Sequence, residues 1–415
     1  MVQAAPKPGL RELIAAPSFL RLWTIGGCVN AMRWFDVLAA ALFTLDLTGS
    51  GLAVAIVTAA RSAPMLLFGA FAGVISEAAN RKHVMVTAHA FAAGASAIVT
   101  VLAATGVARP WHLALAGFVS GCVWSTEMAT RRRMVGEAVP TRLVPRALAL
   151  DTLSGSLARL AGPIGAGAIY ELGGLTAAFA ASTLVFVFVT CLGAGLPYRQ
   201  EARALVLSQV PRDLAEGYRF ARAHTTINGV LVVTIIMNLL AFPYAALVAP
   251  IGRLHFGVSP VLIGVMAASE SFGGFLGGLR LAGGDPPGSG RVLMVGGSLL
   301  LLGCIALMPM MPWFWLACLL LMIGGIGQSA FANMQTTLII LHAPANIRSR
   351  LMGLLTVCIG SGPVGILLVG VLADFFGPLL AIDMIAVTGF VLVVWAGWAW
   401  RRRERMELAN QKARV

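Results

Sequence analysis

The chain has 415 residues, of which 58% are hydrophobic and only 11% are charged. Because soluble globular proteins carry about 25% Asp, Glu, Lys and Arg, this composition excludes a soluble enzyme and favours an integral membrane protein. The formal net charge of +13 would suggest nucleic-acid binding in a soluble protein, but basic residues also collect in the cytoplasmic loops of membrane proteins.

Twelve stretches are long and apolar enough to cross a bilayer, because about 20 apolar residues span roughly 30 Å of hydrocarbon. In chain order the predicted helices are 19–44, 51–76, 84–106, 111–136, 143–170, 174–196, 226–252, 259–280, 291–310, 313–341, 349–373 and 378–400. The sequence therefore predicts an all-α integral membrane protein with twelve transmembrane helices.

The basic residues predict which side of the membrane each connection occupies. If residues 1–18 form a cytoplasmic tail, 25 of the 30 basic residues lie in cytoplasmic segments, and only Arg109 and Arg253 lie in loops on the other side. This asymmetry follows the positive-inside rule. We therefore expect both termini in the cytoplasm and no nucleic-acid partner.

A polar connection at 197–225 divides the chain near its middle, and its part 211–223 is predicted to form an amphipathic helix. The motif Gly162–Gly165 in the fifth predicted helix recurs as Gly362–Gly365 in the eleventh. Such recurrence in corresponding helices indicates duplication. We expect two pseudo-symmetric six-helix bundles, at 19–196 and 226–400, and a basic cytoplasmic tail at 401–415.

Three segments carry motifs of a known family. They are DLTGSGLA at 46–53 with RSAP at 61–64, GVISEAANRK at 73–82, and VPRALAL at 144–150 leading into ARLAGPIGAG at 158–167. Together they resemble the major facilitator superfamily, and most of all its drug, macrolide and siderophore (enterobactin-exporter-like) efflux branch.

The resemblance implies the major facilitator fold and secondary active transport, with no covalent catalysis and no cofactor. It implies a proton-coupled antiporter, monomeric in the bacterial inner membrane, that exports small amphipathic drugs or siderophore-like metabolites by alternating access. An importer or a lipid translocator of the same fold is the alternative. The scattered His and Cys residues independently predict no metal site and no disulfide.

The resemblance also suggests gating residues, although Ala78 and Asn80 depart from the family pattern in the loop after the second helix. A cytoplasmic charge latch, with Glu77 pairing with Arg131, is one expectation. Close helix packing at a Gly-Pro segment of the fifth helix is another. The predicted gating residues are Gly73, Glu77, Arg81, Lys82, Gly162, Pro163 and Gly167.

Charged side chains within the predicted helices are costly unless they are paired, hydrated or functional. Asp36 and Arg61 are predicted to pair, with Arg33 as a competitor, and Asp36 either binds the coupling proton or only orients its helices. Glu127 is a further proton-coupling candidate, although a structural pair with Arg131 one turn away is favoured over proton transfer. The predicted charge partners are Arg33, Arg61, Arg131, Arg159 and Asp151.

Glu270 is predicted to be an unpaired carboxylate near mid-depth, because its own helix holds no nearby basic residue. It is therefore a candidate for protonation, unless it merely faces a water-filled cavity. The substrate cavity is expected between the bundles, although amides there can instead join neighbouring helices. The predicted lining residues are Asn30, Trp34, Trp124, Asn238, Tyr244, Gln328, Asn333 and Gln335.

Overall fold

The computed structural model describes residues 10–78, 80–198, 210–282 and 289–412, and these ranges are helical with short connections. In the N-terminal half the long helices are α1 (Pro17–Thr48), α2 (Gly51–Ala78), α3 (Arg81–Ala104), α4 (Pro110–Glu137) and a run Val144–Ala194 that contains α5 and α6. In the C-terminal half they are α7 (Thr225–His255), α8 (Pro260–Ala282), α9 (Gly290–Leu307), α10 (Phe314–His342), α11 (Arg348–Phe376) and α12 (Pro378–Lys412).

Within the described ranges, ten helices are long and apolar enough to cross a membrane. The run Val144–Ala194 counts once among them, although Gly173 and Gly174 leave helical geometry and divide it into α5 and α6. The charged helix α4 is not among the ten. The all-α membrane fold is thus confirmed, whereas the number of twelve spans stays a prediction.

Several helix ends follow from the residues that occupy them. Gly49, with φ of 65°, ends α1 beyond the predicted end at residue 44. Asn80, one of the departures from the family pattern, caps α3, since its side-chain oxygen accepts a hydrogen bond from the backbone N–H of Lys82 at 3.0 Å. The residues after 400, expected to form a tail, continue α12 to Lys412.

The connection between the halves contains a helix, Val210–Ala223, where 211–223 were predicted to be helical. This linker helix packs against the start of α11, where Arg350 contacts Asp213 at 2.8 Å and Glu216 at 2.6 Å. The connection is therefore held to the C-terminal half by charged contacts.

Helix α7 is irregular in its second half. It widens at Met237–Ala241 and tightens at Phe242–Leu247. Proline lacks the backbone donor of a regular helix, so Pro243 and Pro250 account for this irregularity. The change in winding lies where Tyr244 faces the space between the halves.

The two halves use glycines in equivalent ways. A Cβ at Gly162 in α5 would lie 2.6 Å from the Ala31 carbonyl oxygen in α1, and one at Gly365 in α11 would overlap α7. Gly167 of α5 lies against α8 in the same manner, and Gly370 of α11 lies against α2. Each C-terminal glycine stands 203 positions after its counterpart, three more than the offset of 200 between the two Gly-Pro motifs. The helix packing is therefore repeated between the halves, but in a register that differs by three residues from the motif repeat.

We define the terminal face as the end of the molecule that carries the start of α1, the end of α12 and the linker helix, and the opposite face as the other end. One hydrophobic core joins the halves and includes the part of α1 from Phe35 to Leu45. A second core, with Phe19 and Ile25, belongs to the N-terminal half alone, near the terminal face. The halves are thus packed together toward the opposite face.

Candidate functional site

A cavity of about 600 Å³ lies between the two halves. This volume falls within the range of about 300–1,000 Å³ that is typical of small-molecule sites. Side chains of both halves line it, as expected for a cavity at the boundary between bundles. Five of the eight residues predicted for the substrate cavity are among them, namely Asn30, Trp34, Trp124, Tyr244 and Gln328.

The other three predicted lining residues, all amides, do not line the cavity. Asn238 donates to the Thr234 carbonyl oxygen at 2.9 Å, and Gln335 donates to the Thr234 hydroxyl at 2.8 Å. Asn333 donates to the Ser329 carbonyl oxygen one turn earlier, at 2.8 Å. These amides are satisfied by helix atoms, as in the alternative that they join or brace helices, and a place for them in the substrate site stays a prediction.

Glu270 lines the cavity and is 7% exposed. The prediction that it is unpaired was wrong, because its partners come from other helices. Arg159 of α5 lies 4.0 Å from one carboxylate oxygen, and the Tyr244 hydroxyl of α7 donates to the other. Glu270 therefore connects the two halves across the cavity.

Glu127 belongs to a buried charge network in the N-terminal half. Arg131, one turn further along α4, contacts Glu127 at 2.5 Å and Asp151 of α5 at 2.5 Å. The predicted pair of Glu127 with Arg131 is confirmed. His89 of α3, fully buried, completes the network at 3.1 Å from Glu127.

This role for His89 was not predicted, because its partner lies 38 residues away on another helix. Gly26 of α1 was also missed. A Cβ there would overlap the guanidinium of Arg131, so the absence of a side chain makes room for the network.

Asp36 is separated from the central cavity. It lines a space of about 20 Å³ together with Arg61 and is 4% exposed. Among the ion pairs of the described residues, none joins Asp36 to Arg61 within 4 Å. The two residues are neighbours, as predicted, but the direct ion pair is not formed.

Arg33 does not compete for Asp36. Its guanidinium lies over the Trp124 ring, 3.5 Å from the ring centroid, and lines the central cavity. The Trp34 ring lies 5.3 Å away. The predicted competition was wrong because the rotation of α1 directs these two charged side chains into different spaces.

The predicted cytoplasmic latch stays a prediction. Gly73 and Glu77 lie outside the residues whose side chains are described, and Arg131 contacts Glu127 and Asp151 instead. Arg81 contacts Glu137 of α4 at 3.0 Å and donates to the Tyr198 hydroxyl at 2.9 Å, so it joins elements within the N-terminal half. Burial raises the pKa of Tyr198, which itself donates to Glu137 at 2.8 Å.

The opposite face is closed by contacts between the halves. Asp46 at the end of α1 lies 3.5 Å from Arg253 of α7 and accepts a hydrogen bond from Tyr170 at 2.9 Å. Ser50 donates to Asp374 of α11 at 3.1 Å. The cavity is therefore sealed on this side.

Backbone packing contributes to the same seal. A Cβ at Gly167 would lie 2.9 Å from the Val261 Cα and would overlap Pro260, and one at Gly264 would overlap the Pro163 carbonyl. The predicted close approach at Gly162, Pro163 and Gly167 is thus present, and Gly167 makes it between the halves. Its role in gating stays a prediction.

The comparisons with known proteins agree with this architecture. Residues 13–412 match the family described as transmembrane secretion effector. The chain belongs to this family. The resemblance to the major facilitator superfamily and its efflux branch is therefore confirmed.

Two relatives of this chain are efflux proteins by name. The multidrug efflux pump Tap of Mycolicibacterium fortuitum is 26% identical over 386 residues, which cover 86% of this chain and 92% of that protein. The macrolide efflux protein A of Streptococcus pyogenes is 22% identical over 372 residues, which cover 86% of this chain and 90% of that protein.

Solved structures of transporters share the fold of this chain. A bacterial homologue of the human lysosomal transporter Spinster, in an inward-facing and unoccupied conformation, superposes with a TM-score of 0.72 and 14% identity over 95% of this chain and 98% of that chain. The nucleoside transporter NupG gives a TM-score of 0.69 and 14% identity over 92% of this chain and 98% of that chain. Both similarities concern the fold alone.

Proposed function

We propose that this protein exports small amphipathic molecules across the bacterial inner membrane in exchange for protons. The position of Glu270 carries the proposal: it is a largely buried carboxylate in the cavity wall, and it faces an arginine of the other half. The efflux functions in the names of the two relatives support the direction of transport.

Protonation of Glu270 supplies the coupling step. The ionised carboxylate attracts Arg159 and so helps to hold α8 against α5. A bound proton removes the negative charge and with it the attraction, so the halves can rearrange around the cavity. Substrate and proton then use the cavity in turn, as alternating access requires.

The charges at the two ends of the molecule support the orientation that we propose. Most basic residues lie in segments of the terminal face, which the positive-inside rule places in the cytoplasm. With the opposite face sealed, the described conformation would then be inward-facing. Both termini would be cytoplasmic and the working unit a monomer.

Transport into proteoliposomes with an acidic lumen tests the proposal. Two radiolabelled probes of opposite charge, a macrolide and fusidate, would be added outside the vesicles. A pH-sensitive dye in the lumen would report proton efflux. Protein-free liposomes give the blank, because weak bases and weak acids redistribute across a pH gradient without a carrier. We expect uptake of a probe above the blank, together with proton efflux.

Three variants locate the coupling site. Glu270→Gln should abolish gradient-driven uptake while probe exchange without a gradient continues, whereas Asp36→Asn should keep the coupling. Asp383→Asn is the matched control, because Asp383 is a carboxylate of α12 that does not line the cavity. If the unmodified protein takes up neither probe, the proposal of an exporter is contradicted. If only an alkaline lumen drives uptake, the protein is an importer.

A further inference from the structure

Arg33 lies in an aromatic site on the wall of the central cavity. Its guanidinium is 3.5 Å from the centroid of Trp124 and 5.3 Å from that of Trp34. The guanidinium of Arg159 lies 4.8 Å from the centroid of the same Trp34 ring. Two positive charges and two indoles therefore share one part of the cavity.

The carboxylates of the cavity are already neutralised by other arginines. Four arginines and three carboxylates line it, which leaves an excess of one positive charge. Arg131 is paired with Glu127 and Asp151, and Arg159 faces Glu270. Among the ion pairs within 4 Å that the described residues form, none includes Arg33 or Arg132, and of these two Arg132 is exposed.

Such a charge is unusual, because a cation at membrane depth is normally paired or hydrated. Stacking against Trp124 compensates part of the cost but uses only the face of the guanidinium. The N–H groups at its edge form no hydrogen bond with any atom of the described residues. Arginine stays protonated and offers these donors in a planar fork that matches a carboxylate or another oxyanion.

We propose that Arg33 binds the acidic group of an amphipathic substrate whose apolar or aromatic body lies against Trp34 and Trp124. This inference rests on the proposed export function and adds the charge class of the cargo: molecules with a carboxylate, sulfonate or phosphate are preferred to cations of the same size. Arg33 thus determines specificity, whereas Glu270 couples transport to protons.

Equilibrium binding to the purified full chain tests the inference without any gradient. The probes are three pyrenes on the same four-carbon chain, ending in a carboxylate, a hydroxyl or a trimethylammonium group. Energy transfer from tryptophan to pyrene reports binding, since two indoles line the site. We expect the carboxylate to bind at least about tenfold more tightly than the trimethylammonium probe.

Substitutions then assign the preference to one side chain. Arg33→Gln should weaken binding of the carboxylate probe about tenfold. The affinity for the hydroxyl probe should stay within about twofold, which also shows that the variant is folded. Arg33→Lys should give intermediate binding of the carboxylate, because a lysine keeps the charge but loses the fork and the stacking. Arg132→Gln removes another arginine of the same cavity and is the matched control.

Tighter binding of the cation than of the carboxylate would overturn the inference. The inference would also be overturned if Arg33→Gln weakened the binding of all three probes equally. It would likewise be overturned if Arg132→Gln weakened binding of the carboxylate probe as much as Arg33→Gln does. These outcomes leave the proposed exporter untouched, because its test is gradient-driven uptake and its loss in Glu270→Gln.

Discussion

Arg159 in α5 lies 4.0 Å from the carboxylate of Glu270 in α8, so an ion pair joins the two halves of the chain within the cavity. The side chain of Glu270 is 9% exposed and that of Arg159 is 35% exposed, so water weakens the attraction from one side only. Tyr244 holds the same carboxylate from the C-terminal half. The pair is therefore suited to a reversible contact rather than to a permanent one.

A double-mutant cycle should detect a modest coupling between these two residues. The effects of Arg159→Gln and Glu270→Gln on the free energy of unfolding should depart from additivity by about 0.5–1 kcal/mol. The coupling is small because one partner is partly solvated. Thermal unfolding of the purified single and double variants measures the coupling. Strictly additive effects would mean that the two side chains do not interact in the membrane protein.

The network around Arg131 should matter far more to stability. Arg131→Gln leaves Glu127 and Asp151 buried without their shared cation, and loss of a buried partner costs about 3–5 kcal/mol. The melting temperature of the purified protein checks this. Arg133→Gln, on the same helix with its side chain 51% exposed, should change stability by less than about 0.5 kcal/mol. Similar losses in both variants would contradict the prediction.

Contacts within one helix could be predicted from the sequence, and contacts between helices could not. Glu127 and Arg131 are one turn apart, so their pairing follows from helix geometry alone. Glu270 and Arg159 are 111 positions apart, and their contact depends on which helices adjoin and how each is rotated. The same dependence explains why His89 was missed.

The fold was predictable because the bilayer restricts the choice of structure. Apolar runs of sufficient length must form helices there, and the spacing of these runs gives the order of elements. Which polar side chains face the cavity is a matter of rotation about each helix axis. Tyr244 faces it and Asn238, six positions earlier on the irregular α7, does not.

The linker helix should loosen when Arg350 is replaced. Arg350→Gln removes the contacts to Asp213 and Glu216. We expect the free energy of opening the linker helix to fall by about 1 kcal/mol, because the arginine side chain is 34% exposed. Amide hydrogen exchange in Val210–Ala223 should become about fivefold faster.

The matched control for the linker is Arg212→Gln. Arg212 contacts Glu216 at 3.2 Å within the same helix but its side chain is 81% exposed, so we expect a change of less than about twofold. Equal acceleration in both variants would show that general charge, and not the contact with α11, holds the linker helix.

Gly167→Ala should weaken the seal at the opposite face. The added methyl group would overlap the backbone at Pro260, and relief of such overpacking costs about 1–3 kcal/mol. Because the contact lies between the halves, the strain is relieved by separating α5 from α8 rather than by repacking one bundle. The variant should therefore populate a conformation that is more open at this face.

Spin labels at Leu47 and Leu254, exposed residues next to the Asp46–Arg253 pair, measure the separation directly. We expect longer distances in Gly167→Ala than in the unmodified protein. Gly155→Ala in the same helix is the matched control, since a Cβ there meets nothing within 4 Å. Unchanged distances in Gly167→Ala, with a normal melting temperature, would show that α5 and α8 can adjust without opening, and the close approach would then be packing alone.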